Sequence, residues 1–280
     1  MKKVDLKKLD DLLKRTGDMS LKRRAKRIVE ELDLRMGDKI LDLGCGDGFY
    51  LHILSSLGKF DLFAVDNNPK AISLAKKYLG KTHSKKVKFF KGDVAKLPYK
   101  NSSFDKIIVS ELLEHLEDEV QALEEWNRVL KKNGILVMTV PNKNYPFLWD
   151  PINWFLERIF KTHIKSGFWS GIWNEHERLY SPGALNKIVK KAGFNVEKIE
   201  PLTHYCLPFN HHVLYLGYRA RMSSSASKKI KKSMSKFSTK GEKDMFSLLF
   251  ELITRLDNSN NREFNPQMSS VGIFLKTIKK

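Results

Sequence analysis

The chain is poor in cysteine, in acidic residues and in long apolar runs, and each scarcity removes a class of protein. Cys45 and Cys206 are the only cysteines in 280 residues. They lie far apart in sequence, which excludes a disulfide-stapled secreted scaffold and predicts two reduced thiols in a cytoplasmic protein. No apolar run reaches the length of about 18 residues that a membrane-crossing helix needs. The opening stretch MKKVDLKKLDDLLKRTGDMS is charged throughout, so no signal peptide is expected. Acidic residues number 32 against 51 Lys and Arg, a formal net charge of +19. That imbalance points to an anionic partner, either nucleic acid or a membrane surface. It is unevenly placed: residues 221–243 hold eight basic side chains against Glu242 alone, a net +7 in 23 residues.

What is present describes a folded protein. Hydrophobic residues make up 41% and charged residues 30%, as in globular chains, and the length suits one large α/β domain with insertions. The chain is organised around KILDLGCGDGFY, residues 39–50. Ile40, Leu41 and Leu43 predict a strand. Gly44, Gly46 and Gly48 predict a tight loop, and Phe49 opens helical spacing through Leu51, Ile53, Leu54 and Leu57. A ligand can approach bare main chain at such a loop. The helix start offers unpaired N–H groups, while Asp42 and Asp47 add negative charge, which suits a polar or cationic ligand better than a pyrophosphate. In the dinucleotide fingerprint GxGxxG the third glycine slot falls here on Phe49, which argues against NAD. A glycine turn with no ligand is the plainer alternative.

Downstream the pattern repeats. FDLFAVD (60–66) reads as a strand ending in an acid, Pro69 as the first turn of a helix reaching Leu79, and 87–90 as a strand closed by Gly92 and Asp93. Strands at 104–110 and 135–140 flank a helix at 117–130. Alternating strands and helices predict a doubly wound, mainly parallel α/β sheet. Ligands of such sheets sit beyond the carboxyl ends of the strands, which here carry Asp42, Asp66, Asp93, Ser110, Glu111 and Asn142. Asp66, 18 residues after Gly48, suits both hydroxyls of a ribose or else caps a helix. Asp93 suits an adenine amino group or else a simple turn.

These segments resemble the class I S-adenosylmethionine (SAM)-dependent methyltransferases, especially their broad type 11 group. The resemblance is carried by LDLGCGDG (41–48), VDNNP (65–69), GDVAKLPY (92–99), FDKIIVSELLEHLED (104–118) and LKKNGILVMTVPN (130–142). It is close over 39–142 and weaker over 176–200 and 271–277. It implies a Rossmann-like sheet of seven strands with an antiparallel last strand. It implies that the glycine loop holds the methionine part of SAM, Asp66 the ribose, and Asp93 with Val94 the adenine. The expected cofactor-binding set is Asp42, Gly44, Cys45, Gly46, Gly48, Asp66, Asn67, Asp93, Val94 and Ser110.

Methyl transfer from a sulfonium is an in-line displacement, and a base is needed only if the acceptor must lose a proton. ELLEH (111–115) places Glu111, Glu114 and His115 at i, i+3 and i+4, close to one face if this is a helix start. His115 is the candidate general base, or else a histidine satisfied by local hydrogen bonds. E-x-x-E-H also resembles the metal-binding pattern of ubiquinone-pathway O-methyltransferases and of small-RNA 3′-terminal 2′-O-methyltransferases. That resemblance implies Mg²⁺ or Mn²⁺ at Glu111, Glu114, His115 and His176, activating a hydroxyl.

The expected organisation is a helical cover (1–38), a SAM-binding core (39–143), an aromatic lid insertion (144–175), a returning helix and strand (176–203), a basic amphipathic insertion (204–267) and a last core strand (268–280). The lid holds four of the five tryptophans, and Ile152, Phe155, Leu156, Ile159 and Phe160 fall on one helical face, facing acceptor or core. The basic insertion joins apolar stretches to a lysine run, as suits an anionic membrane surface, or forms a solvated loop. The resulting reading is a methyltransferase, cytoplasmic and peripheral at the inner membrane face, that methylates a hydroxyl of a lipid-linked, quinone-like or glycan acceptor. The alternatives are an RNA ribose 2′-O-methyltransferase and a non-catalytic SAM-binding interaction protein.

Overall fold

The computed structural model describes residues 4–14, 16, 18–174, 176–205, 255, 257–261 and 268–280. Its strands are β1 (Lys39–Leu43), β2 (Asp61–Asp66), β3 (Val87–Lys91), β4 (Phe104–Ser110), β5 (Leu130–Pro141), β6 (Phe194–Leu202) and β7 (Gly272–Lys279). The helices are α1 (Leu9–Leu13), α2 (Met19–Glu31), α3 (Phe49–Leu57), α4 (Pro69–Ser84), α5 (Glu119–Val129), α6 (Pro151–Phe155) and α7 (Pro182–Lys191).

The strands form one sheet in the order β3-β2-β1-β4-β5-β7-β6. All pairings are parallel except those of β7, which runs antiparallel to both β5 and β6. The seven strands and the reversed last strand match the architecture that the resemblance implies. Ile40, Leu41, Asp42 and Leu43 are all buried, as expected for a central strand covered on both faces. One apolar cluster packs α2 and α3 on the first face through Ile28, Leu32, Ile53 and Leu54. A second packs α5 and α7 on the other through Trp126, Leu185 and Val189. The strand order reverses between β1 and β4, and their carboxyl ends open the crevice in which such sheets bind ligands.

Two boundaries differ from expectation. Helix α5 begins only after Asp118, whose carboxylate accepts from the N–H of Val120 and of Gln121. Strand β5 begins at Leu130, pairing with Phe104 before a register shift. Basic residues 131 and 132 mask this early start from the apolar pattern.

Gly48 precedes α3 with φ of 80°, and a Cβ there would stand 2.9 Å from the Cβ of Ala75 on α4. Left-handed backbone and close helix approach therefore both require glycine. Gly48→Ala is expected to lower stability by about 1–3 kcal/mol, which denaturant titration reads directly.

Helix α2 ties separate parts of the chain together through three arginines. Arg23 binds Asp257, with Nε to Oδ1 at 2.5 Å. Arg27 pairs with Glu200 on β6, and Arg24 pairs with Glu111 beyond β4. Leu202 pairs with Gly272, and the Val271 N–H donates to the Thr203 carbonyl at 2.9 Å. The basic insertion expected at 204–267 lies outside the described residues except for 204, 205, 255 and 257–261.

Candidate active site

The glycine loop hangs from the end of β1 by backbone bonds to β2. The N–H groups of Gly44 and Cys45 both donate to the Val65 carbonyl. The Gly46 N–H donates to Asp66 Oδ2 at 2.9 Å, while Asp66 Oδ1 accepts from Asn68 N–H at 2.8 Å. Asp66 thus fastens the loop to β2. Helix α4 is capped instead by Asn68, whose side chain accepts from the Lys70 N–H. The Gly92 N–H donates to the Asp66 carbonyl, so Asp93 follows directly from that junction. Asp93 is exposed and closes a turn by accepting from Ala95 N–H. Asn67 is exposed beside it, whereas Val94 is buried and its carbonyl accepts from the Trp126 indole.

Asp42 gives this corner its electrostatic character. It is 1% exposed, and its Oδ2 has no hydrogen-bond partner. Burial, with Asp66 and then Asp47 adding repulsion, holds its carboxyl well above the usual range. A cationic group arriving beside it would restore its charge. The loop itself is open at Gly46: a Cβ there, where φ is 52°, would find nothing nearer than the Gly44 carbonyl at 4.0 Å. Cys45 is buried, and burial first and Asp42 second push its thiol up, so it is inert as a nucleophile. Ser110, at the end of β4, shares hydrogen bonds with the Tyr50 hydroxyl at 2.9 Å and the Thr139 hydroxyl at 3.2 Å.

The ELLEH stretch does not start a helix. Glu111 has φ of 51°, its N–H donates to the Thr139 carbonyl, and only residues 113–115 make a single 3-10 turn. The left-handed residue breaks the expected i, i+3, i+4 face and sends the two glutamates different ways. Glu111 turns to Arg24, with Oε2 at 2.6 Å from Nη1, and so is drawn away from the expected metal set. Glu114 turns inward, is fully buried and has no hydrogen-bond partner for either carboxylate oxygen. Burial first, then Glu111, raises its pKa well above the usual range.

Glu114, His115 and His176 do come together. Glu114 Oε1 lies 3.8 Å from Nε2 of each histidine, and the two imidazoles meet edge to face at 4.8 Å. One ligand atom from each of the three lies within 4.8 Å of the others. His176 is brought there by the segment after it. The Glu177 N–H donates to the Glu114 carbonyl, Arg178 donates to the Leu116 carbonyl, and both Arg178 and Tyr180 bind Glu119. Tyr180 also bridges to Asn142 at the end of β5. Leu112 connects this group to the cofactor side, since its Cδ1 stands 2.9 Å from where a Cβ of Gly44 would be.

Arg24, Tyr50, Thr139, Arg178 and Glu119 were not expected at the site. Arg24 carries charge into it from the N-terminal helices, and its sequence surroundings, LKRRAKR, set it apart from its neighbours in no way.

The 144–174 segment begins with Asp150 capping α6, followed by a π turn at Leu156–Phe160. The helical face expected to look toward acceptor or core is largely outside: Phe155, Ile159 and Phe160 are 51%, 60% and 62% exposed. Tyr145 and Trp149 instead form the small interior, with Ile172 and Val271. Among the described residues no helix is long and apolar enough to cross a membrane.

Residues 34–193 match the family model of a methyltransferase domain. An uncharacterized protein of Methanocaldococcus jannaschii is 34% identical over 168 residues, covering 58% of this chain and 60% of that protein. A demethylmenaquinone methyltransferase of Staphylococcus aureus is 34% identical over 115 residues, covering 40% of this chain and 46% of the relative. The match thus spans about half the length of these curated relatives. Among solved structures, the (4+2)-cyclase SpnF superposes with a TM-score of 0.58 at 16% identity over 92% of this chain and 80% of its own. Phosphoethanolamine N-methyltransferase 2 of Haemonchus contortus, in complex with S-adenosylmethionine, gives 0.55 at 15% identity over 91% and 52%. At such identities the structures share the fold alone.

Proposed function

Since the chain belongs to the class I SAM-dependent methyltransferase family, we propose that it methylates a hydroxyl of a quinone-like, lipid-linked or glycan acceptor at the cytoplasmic face of a membrane. One observation carries the reading: Leu112 reaches the glycine loop at Gly44, and Glu114 and His115, which meet His176, follow it within three residues of chain. The S. aureus relative, named for demethylmenaquinone, supports a quinone-like acceptor.

The residues present fit SAM. The unpartnered Asp42 Oδ2 and the open side of Gly46 form a buried acidic corner for a ligand carrying ammonium and sulfonium charge. Asp66 keeps lone pairs free for a ribose, and Asp93 and Val94 lie where an adenine would follow. When bound, SAM supplies an electrophilic methyl group and departs as a neutral thioether. The chain itself supplies alignment and a proton acceptor. His115, part-exposed, takes the acceptor hydroxyl's proton on its imidazole and later passes it to water. His176 packs edge to face against that imidazole, and the Glu114 carboxyl, 3.8 Å from its Nε2, counters the charge it gains. Residues 144–175 serve as the acceptor lid.

A divalent cation is the second reading, favoured by the converging donors of Glu114, His115 and His176. One carboxylate and two imidazoles suit Mn²⁺ better than Mg²⁺. Such an ion would lower the pKa of an acceptor hydroxyl.

Incubating the protein and radiolabelled SAM with cell extract tests the assignment. Label is expected in the lipid-soluble fraction. Label in RNA would replace the reading with ribose 2′-O-methylation, and label nowhere would favour the non-catalytic SAM-binding protein. Asp66→Ala is expected to weaken SAM and S-adenosylhomocysteine alike by about 1.5–3 kcal/mol, through loss of charge-assisted hydrogen bonds. Calorimetry measures it, and unchanged affinity would refute the cofactor site.

A further inference from the structure

The insertion between β5 and His176 buries a polar scaffold beside its small apolar cluster of Tyr145, Trp149 and Ile172. Asp150 and Asn153 are fully buried, and Ser170 is 1% exposed. Asp150 accepts from the N–H groups of Asn153 and Ile172 and from the Asn153 amide. Asn153 also donates to the carbonyls of Trp169 and Ser170 and accepts from the Ile164 N–H. Six large apolar side chains nevertheless point outward: Phe147, Leu148, Phe155, Ile159, Phe160 and Trp169 are between 44% and 62% exposed. The buried polar scaffold fixes the backbone that carries them.

The charge on this segment is also sorted. Lys143, Lys161 and Lys165 are exposed, and Arg158 lies over the Trp154 ring at 4.1 Å. Among the described residues its two acids, Asp150 and Glu157, turn inward: Asp150 is consumed by the scaffold, and Glu157 accepts from the Tyr145 hydroxyl at 2.6 Å. Exposed apolar side chains with exposed cations among them complement a surface that is hydrocarbon beneath and anionic above. Leu148 and Ile159 have no ring with which to stack on a base, which favours lipid over RNA.

We propose that the outward face of residues 147–169 is a docking surface for an anionic lipid bilayer. The assignment rests on the reading of the acceptor as membrane-borne. The segment runs from Asn142 at the end of β5 to His176 in the catalytic cluster, so docking it holds the mouth of the site against the lipid headgroups.

Flotation of the full chain with phosphatidylcholine vesicles, with and without phosphatidylglycerol, tests the proposal. The wild type is expected to float only with phosphatidylglycerol present. Phe155→Ser/Ile159→Ser/Phe160→Ser is expected to lower the partition coefficient roughly a hundredfold or more. Lys161→Gln/Lys165→Gln should weaken binding and flatten its salt dependence. All three proteins should bind SAM equally by calorimetry, which shows that the variants fold. Loss of SAM binding by the wild type would instead sink the methyltransferase reading and leave the docking result standing. A wild type that ignores anionic vesicles overturns the proposal, as does a triple variant that floats like the wild type. A wild-type dimer that the triple variant makes monomeric would assign the face to a second copy of the chain. Steeply salt-dependent binding to polyuridine RNA in preference to vesicles would assign it to nucleic acid.

Discussion

His115→Ala is expected to lower turnover by about 10²–10⁴-fold, the usual contribution of a positioned general base, and to leave SAM affinity within about twofold. The separation follows from position. In the proposed reading the glycine loop and Asp66 hold SAM, whereas His115, three residues past Leu112, faces the acceptor. His176→Ala should cost less, because that imidazole supports the base through a 4.8 Å edge contact. Single-turnover rates with the identified acceptor, beside calorimetry for SAM, measure both terms. Chelator distinguishes base from metal ligand. Activity lost to chelator and restored by Mn²⁺ assigns the cluster to a cation, and indifference to chelator leaves a plain base. A fully active His115→Ala variant removes both roles.

Arg24→Met is expected to destabilise the protein by roughly 3 kcal/mol, the lower end for breaking a buried ion pair. Methionine keeps much of the volume but strips the cation from beside Glu111, whose side chain is only 22% exposed and stands near the fully buried Glu114. Among the described residues, histidine beside Glu114 would then be the only ion-pair partner left to the two carboxyl groups. Arg24→Met/Glu111→Gln should recover much of the loss, because it removes the stranded charge. A double-mutant cycle read from denaturant midpoints gives the coupling energy. A cycle with no coupling would mean that the pair contributes nothing to holding α2 on the core.

The contrast between these two residues shows what was legible in the sequence. The glycine-loop half is local: strand, glycine loop and acid follow one another within a short stretch, so spacing alone assigns Asp42 and Asp66 to strand ends and Gly46 to the turn. His115 and His176 were both visible as candidates, since each sits in a short polar cluster after a recognisable element. Glu111 was misjudged because one left-handed residue between strand and turn changes where a side chain points, and a Glu at positive φ has no pattern to announce it. Arg24 was missed because its partner lies 87 positions away, and a basic helix gives no sign of which arginine faces inward. The exposed aromatics of α6 failed for the opposite reason. Their helical spacing was readable, but spacing does not distinguish a face that meets protein from one that meets something else.

The hairpin of β6 and β7 has a bearing on descent. Leu202 and Gly272 are directly paired, so the chain leaves the sheet at Thr203 and re-enters at Val271 across a single strand spacing. To the sheet, everything between those points is one connection, and its length enters the closure entropy only logarithmically, at about 0.6 kcal/mol per doubling. Sequence can therefore be gained, lost or exchanged there without disturbing the register of any strand.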